Sequence, residues 1–507
     1  MTVLSSEPDR PSDANKPEEE SKPRTNAAFR MGQIVAARAT QLVWDGEDAY
    51  AVIQLPDHVR CYPVQSAAFR RWLLAAYLAE GNKSVPSGEA QKQALALIEA
   101  MAEEHGISPT PAIRVGGDNG TVYIDLGDDS WRCVKVTPGS WEMAPLPVEG
   151  PYLYRPPKMA ALPVPARAKI GAINKLRSYV SVTNERDWKL FLVWLLSTLR
   201  PQGPYLLLLL HGEAGSTKSS AEKVARSLTD PVRKGAQEKG PTAPGGGPPS
   251  ERRDVFAKAR QHYVVAFDNV SWIDQDLSDI LCRLATGSEI DGRTLYTMFE
   301  ESSFAAARPV LISSVVDPIV QSDLADRAIK ISLAAPEHRK EEEALWSEYD
   351  ADHAEIFGAL LEIYAQALAR LPEATVPDGL DVRMQDFARF GEAVGLVAGW
   401  QPGEFTRAYH ENRTEAAAEM GENDLIFTPL KTHLELHSGV WSGTLEELRD
   451  QLTSGVQAPV RNHRDWPRSA KGLSNYLIRR KANLKAAGIE FESHRSHATI
   501  YTVRWTK

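Results

Sequence analysis

Residues 205–219 read YLLLLLHGEAGSTKS, and no other stretch restricts the possible folds as tightly. An uninterrupted run of Leu206 to Leu210 has no polar face, which predicts a strand buried on both sides. It leads directly into Gly212-Glu213-Ala214-Gly215-Ser216-Thr217-Lys218-Ser219, and Ser220 to Leu228 can wind as a helix. Strand, glycine-bearing loop and helix in that order make a phosphate-binding P-loop. Backbone N–H groups of residues 212–220 would converge on phosphate oxygens at a helix N-terminus, whose dipole favours negative charge. Lys218 would reach the outer phosphates of ATP, and the Ser219 hydroxyl would hold Mg²⁺. One position departs from GxxxxGK[ST]: Thr217 stands where the second glycine is expected. The competing reading is a chance Ser/Gly turn.

Composition narrows the class. The 507 residues allow about three domains. With 58 basic and 67 acidic residues the net charge is −9, so the chain as a whole is not a nucleic-acid polycation. Cys61, Cys133 and Cys282 are widely spaced, which argues against a zinc or disulfide framework and for a reducing cytoplasm. No apolar run reaches the ~18 residues of a membrane span, and the N-terminus has no charged-then-apolar signal pattern. These features predict a soluble intracellular protein with no membrane partner.

Along the chain, residues 1–25 are rich in Pro, Glu and Ser and are expected to be disordered. Residues 26–160 alternate strand-like and helical pieces, an α+β domain. Ile34-Val35, Ala51 to Ile53 and Val122 to Ile124 look like strands; Ala67 to Ala79 and Gly88 to His105 look helical. Asp125, Asp128 and Asp129 read as a hairpin turn in preference to a metal site. Residues 161–345 hold the P-loop, preceded by an aromatic-rich helix from Glu185 to Leu199. The Gly- and Pro-rich stretch Lys234 to Ser250 reads as a mobile surface loop. His262 to Asn269 is a second apolar strand, and it ends in Asp268, placed to serve as the acid beside Mg²⁺. Asn269 follows it; an amide can orient water but cannot take its proton.

Further on come LCRLATG at residues 281–287, Asp291-Gly292-Arg293, the apolar strand Pro309 to Ser314, and Asp323-Leu324-Ala325-Asp326-Arg327. This series resembles the AAA+-like ATPase core of superfamily 3 helicases. It is similar above all to primase-helicase-like ATP-binding proteins of phages, plasmids and integrated elements, whose signatures include GEQGSAKST, DN and DLADR. The likeness covers about residues 161–336. It implies phosphate and Mg²⁺ ligation by Gly212, Gly215, Lys218 and Ser219, with Asp268 as the acid. It also implies that Arg327 acts as an arginine finger across the interface of a ring, a hexamer being one form of it, and that Arg293 stands at the base of a DNA-tracking hairpin. The plainer alternatives are a salt bridge from Arg327 to Asp323 or Asp326, and a structural Arg293. Two positions depart from the pattern. Ser313 and Ser314 stand where an asparagine would sense the γ-phosphate, and the hairpin tip Met298 to Ser302 carries Glu300 and Glu301 where cations are expected.

Residues 346–420 read as helical. From Gln457 to Lys507 there are 11 Lys/Arg against 3 Asp/Glu, a local charge of +8. Helices at Thr444 to Gln451 and Ser469 to Ala487, followed by a hairpin, predict a winged helix over residues 421–507. Arg468, Lys471, Asn475, Arg479 and Lys485 would touch DNA, while Arg480 intrudes on the apolar face and is expected to snorkel. The alternative is a solvated basic helix. The leading function is an ATP-hydrolysing, DNA-binding, helicase-like ring ATPase of a phage, plasmid or integrated element. Its rivals are a nucleic-acid-stimulated switch ATPase without translocation, in anti-phage defence or mobile-element regulation, and a nucleotide-binding module with little turnover.

Overall fold

The computed structural model describes residues 26–507 except 83, 119, 214, 237, 250, 289, 294–300, 305–306, 336–339, 381, 423, 458–460, 463–465, 496–498 and 507. The expected disordered tail, residues 1–25, lies outside the described residues, as do Met298, Phe299 and Glu300 of the hairpin tip.

By its internal contacts the chain divides into two units, one of residues up to 53 plus 62–109, the other of 54–61 plus 110–507. The first contains α1 (Ala27–Arg38), β1 (Ala39–Trp44), β2 (Ala49–Gln54), the end of β3 (Val59–Pro63), α2 (Ala67–Ala79) and α3 (Gly88–Glu103), with its sheet in the order β1-β2-β3. Ile34 and Val35, expected in a strand, lie in α1. Their burial with Ala28 and Met31 follows helical spacing, which overrides the local preference of two β-branched residues. Ser66 and Ser87 cap α2 and α3 through their hydroxyls, as their positions before apolar-periodic runs require.

The second unit opens with an antiparallel meander of β4 (Val115–Gly117), β5 (Val122–Asp125), β6 (Arg132–Thr137) and β7 (Ser140–Pro145). The carboxylates of the β5–β6 turn are taken up by arginines: Asp125 pairs with Arg155 at 2.7 Å and Asp128 with Arg132 at 2.7 Å. Ile124, Val134 and Trp141 of this meander belong to the same apolar core as the central sheet. The core is therefore continuous across residue 160, where the sequence suggests a domain boundary.

α4 (Glu185–Ser197) precedes β8 (Leu207–His211), α5 (Lys218–Thr229), α6 (Arg252–Ala259), β9 (Val265–Phe267), α7 (Gln275–Thr286), the hairpin β10 (Ile290–Arg293) and β11 (Glu301–Phe304), β12 (Val310–Ser314), α8 (Ser322–Ala325) and β13 (Ala328–Ser332). The central sheet is parallel, in the order β13-β8-β12-β9. With β8 flanked on both sides, its leucines divide by parity between two cores. Leu206, Leu208 and Leu210 join one core with Ala221, Val224 and Phe357; Leu207 and Leu209 join the other with Val255, Phe267 and Leu277. Buried Arg114 ties the meander to this sheet, pairing with Asp230 at 3.1 Å, while the other carboxylate oxygen accepts from Tyr263 N at 2.8 Å.

The Gly/Pro-rich stretch is not a free loop over its second half. Thr242 is buried and donates to the Val232 carbonyl, Ala243 O accepts from Arg226, and Gly246 forms a parallel bridge to Phe267. Gly246 thus pairs alongside β9, its carbonyl also accepting from Asp268 N at 2.9 Å. Backbone groups make the pairing, so composition alone could not reveal it.

α9 (Glu342–Arg370), α10 (Gln385–Ala398) and α11 (Glu404–Glu422) follow. The remainder has its own core around Leu430, Leu448, Leu473 and Leu484. It comprises α12 (Phe427–Leu436), β14 (Val440–Gly443), α13 (Leu445–Gly455), α14 (Ala470–Arg479), α15 (Lys481–Ala486), β15 (Ile489–Arg495) and β16 (Thr499–Trp505), its sheet ordered β14-β16-β15. The single helix expected from Ser469 to Ala487 is broken at Arg480 (φ −105°, ψ 11°). There the guanidinium pairs with the buried Asp424 carboxylate at 2.6 Å and lies over Tyr476. Arg480 is held by a buried partner and does not snorkel, because an unpaired buried carboxylate would be costly. At this junction Gly421 is required: a Cβ would lie 2.3 Å from the Asn483 carbonyl oxygen. No helix among the described residues is long and apolar enough to cross a membrane.

Candidate nucleotide and nucleic-acid sites

The loop between β8 and α5 is shaped by two glycines for different reasons. A Cβ on Gly212 would stand 2.5 Å from the Leu333 carbonyl oxygen, whereas Gly215 takes φ +86°, a left-handed conformation. Thr217, the departure from the glycine pattern, is the N-cap of α5 with φ −72°, so no glycine is needed there. Its side chain makes no capping bond, and its Oγ1 is buried without a hydrogen-bond partner among the described residues. The Lys218 ammonium folds back over the loop, donating to Gly212 O at 2.8 Å, Glu213 O at 2.7 Å and Ser216 Oγ at 3.0 Å. Burial lowers its pKa, and Asp268 opposes that shift. Ser219 is exposed and Ser220 half-buried in the first turn of α5; Ala214 lies outside the described residues.

Asp268 follows β9 and Ser313 lies in β12, the strand between β9 and β8. Parallel pairing brings their C-terminal ends to the same edge as the loop. The Ser313 hydroxyl donates to Asp268 Oδ1 and accepts from Asn269 N at 3.2 Å. Asn269 is exposed and adopts φ +56°, a conformation its short amide tolerates well. Ser314 points elsewhere, to the carbonyls of Val270 and Val316.

Two neighbours escaped the sequence reading. Glu222, one turn beyond Lys218, is fully buried; Gly245 N donates to one oxygen and the other has no hydrogen-bond partner among the described residues. Burial, then Asp268, pushes its carboxyl up to about 7. Lys258 is pushed down to about 8 by burial, and its Nζ lies 4.1 Å from the Phe267 ring centre. Glu222 was visible in principle, as a charge on a face made by Ala221, Val224, Ala225 and Leu228.

Arg327 lies at the opposite edge. Its carbonyl accepts from Leu207 N at 2.8 Å, at the start of β8, whereas the loop leaves the end of that strand. The guanidinium pairs with Asp323, a carboxylate that Arg383 also approaches at 3.4 Å. The backbone of Arg293 pairs with Glu301 at the base of the β10–β11 hairpin.

In the C-terminal region, Lys471, Asn475 and Arg479 occupy exposed positions of α14 and make no hydrogen bond or ion pair among the described residues. Arg468 is exposed just before the Ser469 cap. Lys485 falls in α15 and pairs with Glu490 at 3.1 Å.

Residues 173–412 match the family model of the actinomycete integrative conjugative element replication protein, RepA, and residues 427–507 match the model of its C-terminal domain. Among curated proteins, none matches the chain. Among solved structures, it is similar to an apo form of the NrS-1 C-terminal region at 14% identity, covering 94% of this chain and 99% of that one with a TM-score of 0.38. A second apo structure of that region gives 13% identity, coverage of 95% and 100%, and a TM-score of 0.34. A JCV helicase with a bound acetamide compound gives 12% identity, coverage of 48% and 70%, and a TM-score of 0.20. Over the two matched segments, which make up most of its length, the chain belongs to the replication proteins of actinomycete integrative conjugative elements.

Proposed function

We propose that this replication protein binds ATP with Mg²⁺ at the loop between β8 and α5, hydrolyses it, and couples hydrolysis to DNA held by residues 427–507. The observation that carries the reading is the meeting of Lys218, Asp268 and Ser313 at one edge of a parallel sheet, beside a loop whose glycines are demanded by its geometry. Lys218 donates to three oxygen acceptors at the loop, the kind of contact a cation makes with phosphate oxygens. The N–H groups of Glu213 to Ser220 would complete the cradle, and the uncapped α5 N-terminus adds its dipole.

The donor set suits a hard cation: the Ser219 hydroxyl and the Asp268 carboxylate would hold Mg²⁺, and Ser313 would orient that carboxylate through the hydrogen bond it already makes. Mg²⁺, when bound, neutralises charge developing on the β- and γ-phosphate oxygens. Asn269 would orient the attacking water without taking its proton. Arg327 cannot serve its own site from the far edge of the sheet, so it would act on a neighbouring copy in a ring, as in superfamily 3 ATPases.

Helix, strand, three helices and a hairpin, from α12 to β16, support reading this region as a winged helix in which α14 is the groove-entering element. Lys471 and Arg479 are free to meet phosphate, whereas Lys485 is already neutralised by Glu490. A second reading, a switch ATPase that binds DNA without tracking along it, is favoured by Glu300 and Glu301 in the hairpin where a tracking loop needs cations. Strand displacement on a forked duplex separates the two readings. Absence of Mg²⁺-dependent ATP turnover, with and without DNA, overturns both.

A further inference from the structure

On the reading of residues 427–507 as a DNA-binding winged helix, we propose that α14 is a sequence-specific reader of an adenine–thymine step. Asn475 pairs with an adenine edge, and Ile478 packs on the methyl group of a thymine at a neighbouring base pair.

α14 buries Leu473, Tyr476 and Leu477 in its own domain, yet Ile478 is 61% exposed. Lys471, Asn475 and Ile478 are spaced four and three residues apart, so they lie in one row on the outer face. A helix that only attracted phosphate, or only solvated its surface, would carry charge or small polar groups throughout this row. A large aliphatic group there has no internal use.

The occupant follows from charge and chemistry. α14 contains no acidic residue, and residues 457–507 carry a charge of +8 within a chain of −9. Lys471 and Arg479 flank Asn475 one turn to either side, where they can reach phosphates bordering a groove. The Asn475 amide makes no hydrogen bond among the described residues, so its donor and acceptor are both free. That pair matches N6 and N7 of adenine in the major groove. Ile478 has no polar atom in its side chain, and the C5-methyl of thymine is the one apolar feature the major groove offers. Cβ atoms three residues apart on a helix are about 5–6 Å from each other, a span that covers adjacent base pairs rising about 3.4 Å.

The test uses the full chain and a random duplex library. Selection is expected to enrich a site with an adenine and a thymine on neighbouring pairs. In that duplex, replacing the adenine by 7-deazaadenine removes the N7 acceptor and should weaken binding roughly 5- to 150-fold. The Asn475→Ala variant should be indifferent to the same change. Replacing the thymine by deoxyuridine removes one methyl and should weaken the parent about fourfold, with Ile478→Ala unaffected. Both side chains are exposed, so an unchanged melting temperature confirms that neither variant has lost its fold. Salt-dependent binding to every duplex with equal affinity overturns the specificity proposal while leaving DNA binding intact. Failure to bind any duplex overturns the winged-helix reading itself.

Discussion

Replacing Arg327 by alanine should abolish most ATP turnover without reducing ATP affinity, and the missing rate should return when a second, differently damaged copy is added. Arg327 lies at the N-terminal end of β13 and accepts from Leu207 N, whereas the loop leaves β8 after His211. Five residues rising about 3.3 Å each separate the two edges by roughly 13–17 Å, beyond the reach of one arginine side chain. Any contact with nucleotide must therefore be made to another copy. Freeing the guanidinium from Asp323 should cost little, about 0–1 kcal/mol for a pair with a half-exposed carboxylate, and Arg383 remains to neutralise that carboxylate. Arginine fingers contribute roughly 10³–10⁵ in rate. In an equimolar mixture of Arg327→Ala and Lys218→Ala proteins, each interface draws its two halves at random. About one interface in four then combines an intact Lys218 with an intact Arg327, so steady-state phosphate release should recover to about a quarter of the parent rate. No recovery after subunit exchange, or full turnover by a sample that remains monomeric in light scattering, refutes the argument.

Lys218→Ala should lose measurable ATP binding by calorimetry while its far-ultraviolet dichroism stays that of the parent, since no other basic residue lies in the loop; retained affinity would remove the nucleotide assignment. Duplex DNA affinity should fall steeply with salt, and Lys471→Ala with Arg479→Ala should reduce the log–log slope by up to about 1.8, from about 0.9 per lost phosphate contact, with Lys485→Ala contributing less because Glu490 already pairs with it. Stability should decline on mild acidification through two buried histidines. Burial pushes His262 and His353 down to about 4, so each stays neutral in the fold while the unfolded chain protonates near 6.5. Their contribution is complete above pH 6.5 and is lost as pH falls towards 4, about 1.4 kcal/mol for each group by pH 5.5. Urea titrations at pH 7.5 and 5.5 should show the double variant His262→Gln, His353→Gln with a smaller loss than the parent; an equal loss would assign the decline to other groups.

The legible parts of this protein were those written in short windows. Five consecutive leucines stopped by a glycine loop read as a strand flanked on both sides, and the glycines of that loop announce a turn that side chains cannot make. Ser66, Ser87, Asn184 and Ser469 likewise mark helix starts, because a cap acts on backbone groups only two or three residues away. What failed depended on distant partners. Taken as a pair, Ile34 and Val35 suggest a strand, and only the wider spacing with Ala28 and Met31 shows the helix. Glycine and proline concealed the pairing of Gly246, which is made by backbone atoms to Phe267 and Asp268. The break at Arg480 answers to Asp424, and the partner of buried Glu222 is the distant backbone of Gly245.

From its sequence alone this chain had a buried strand, a glycine-bearing loop before a helix, an acid at the end of a second strand and a basic C-terminal segment, because each is encoded by neighbours within a few residues. Only the tertiary structure decided that β12 stands between the loop strand and the acid, that Arg327 lies at the far edge from its own loop, and that Ile478 faces solvent beside three groups without side-chain partners among the described residues. Sheet order and the outward face of a helix are set by long-range packing, and packing obeys the sum of all buried surfaces, so no local window contains it.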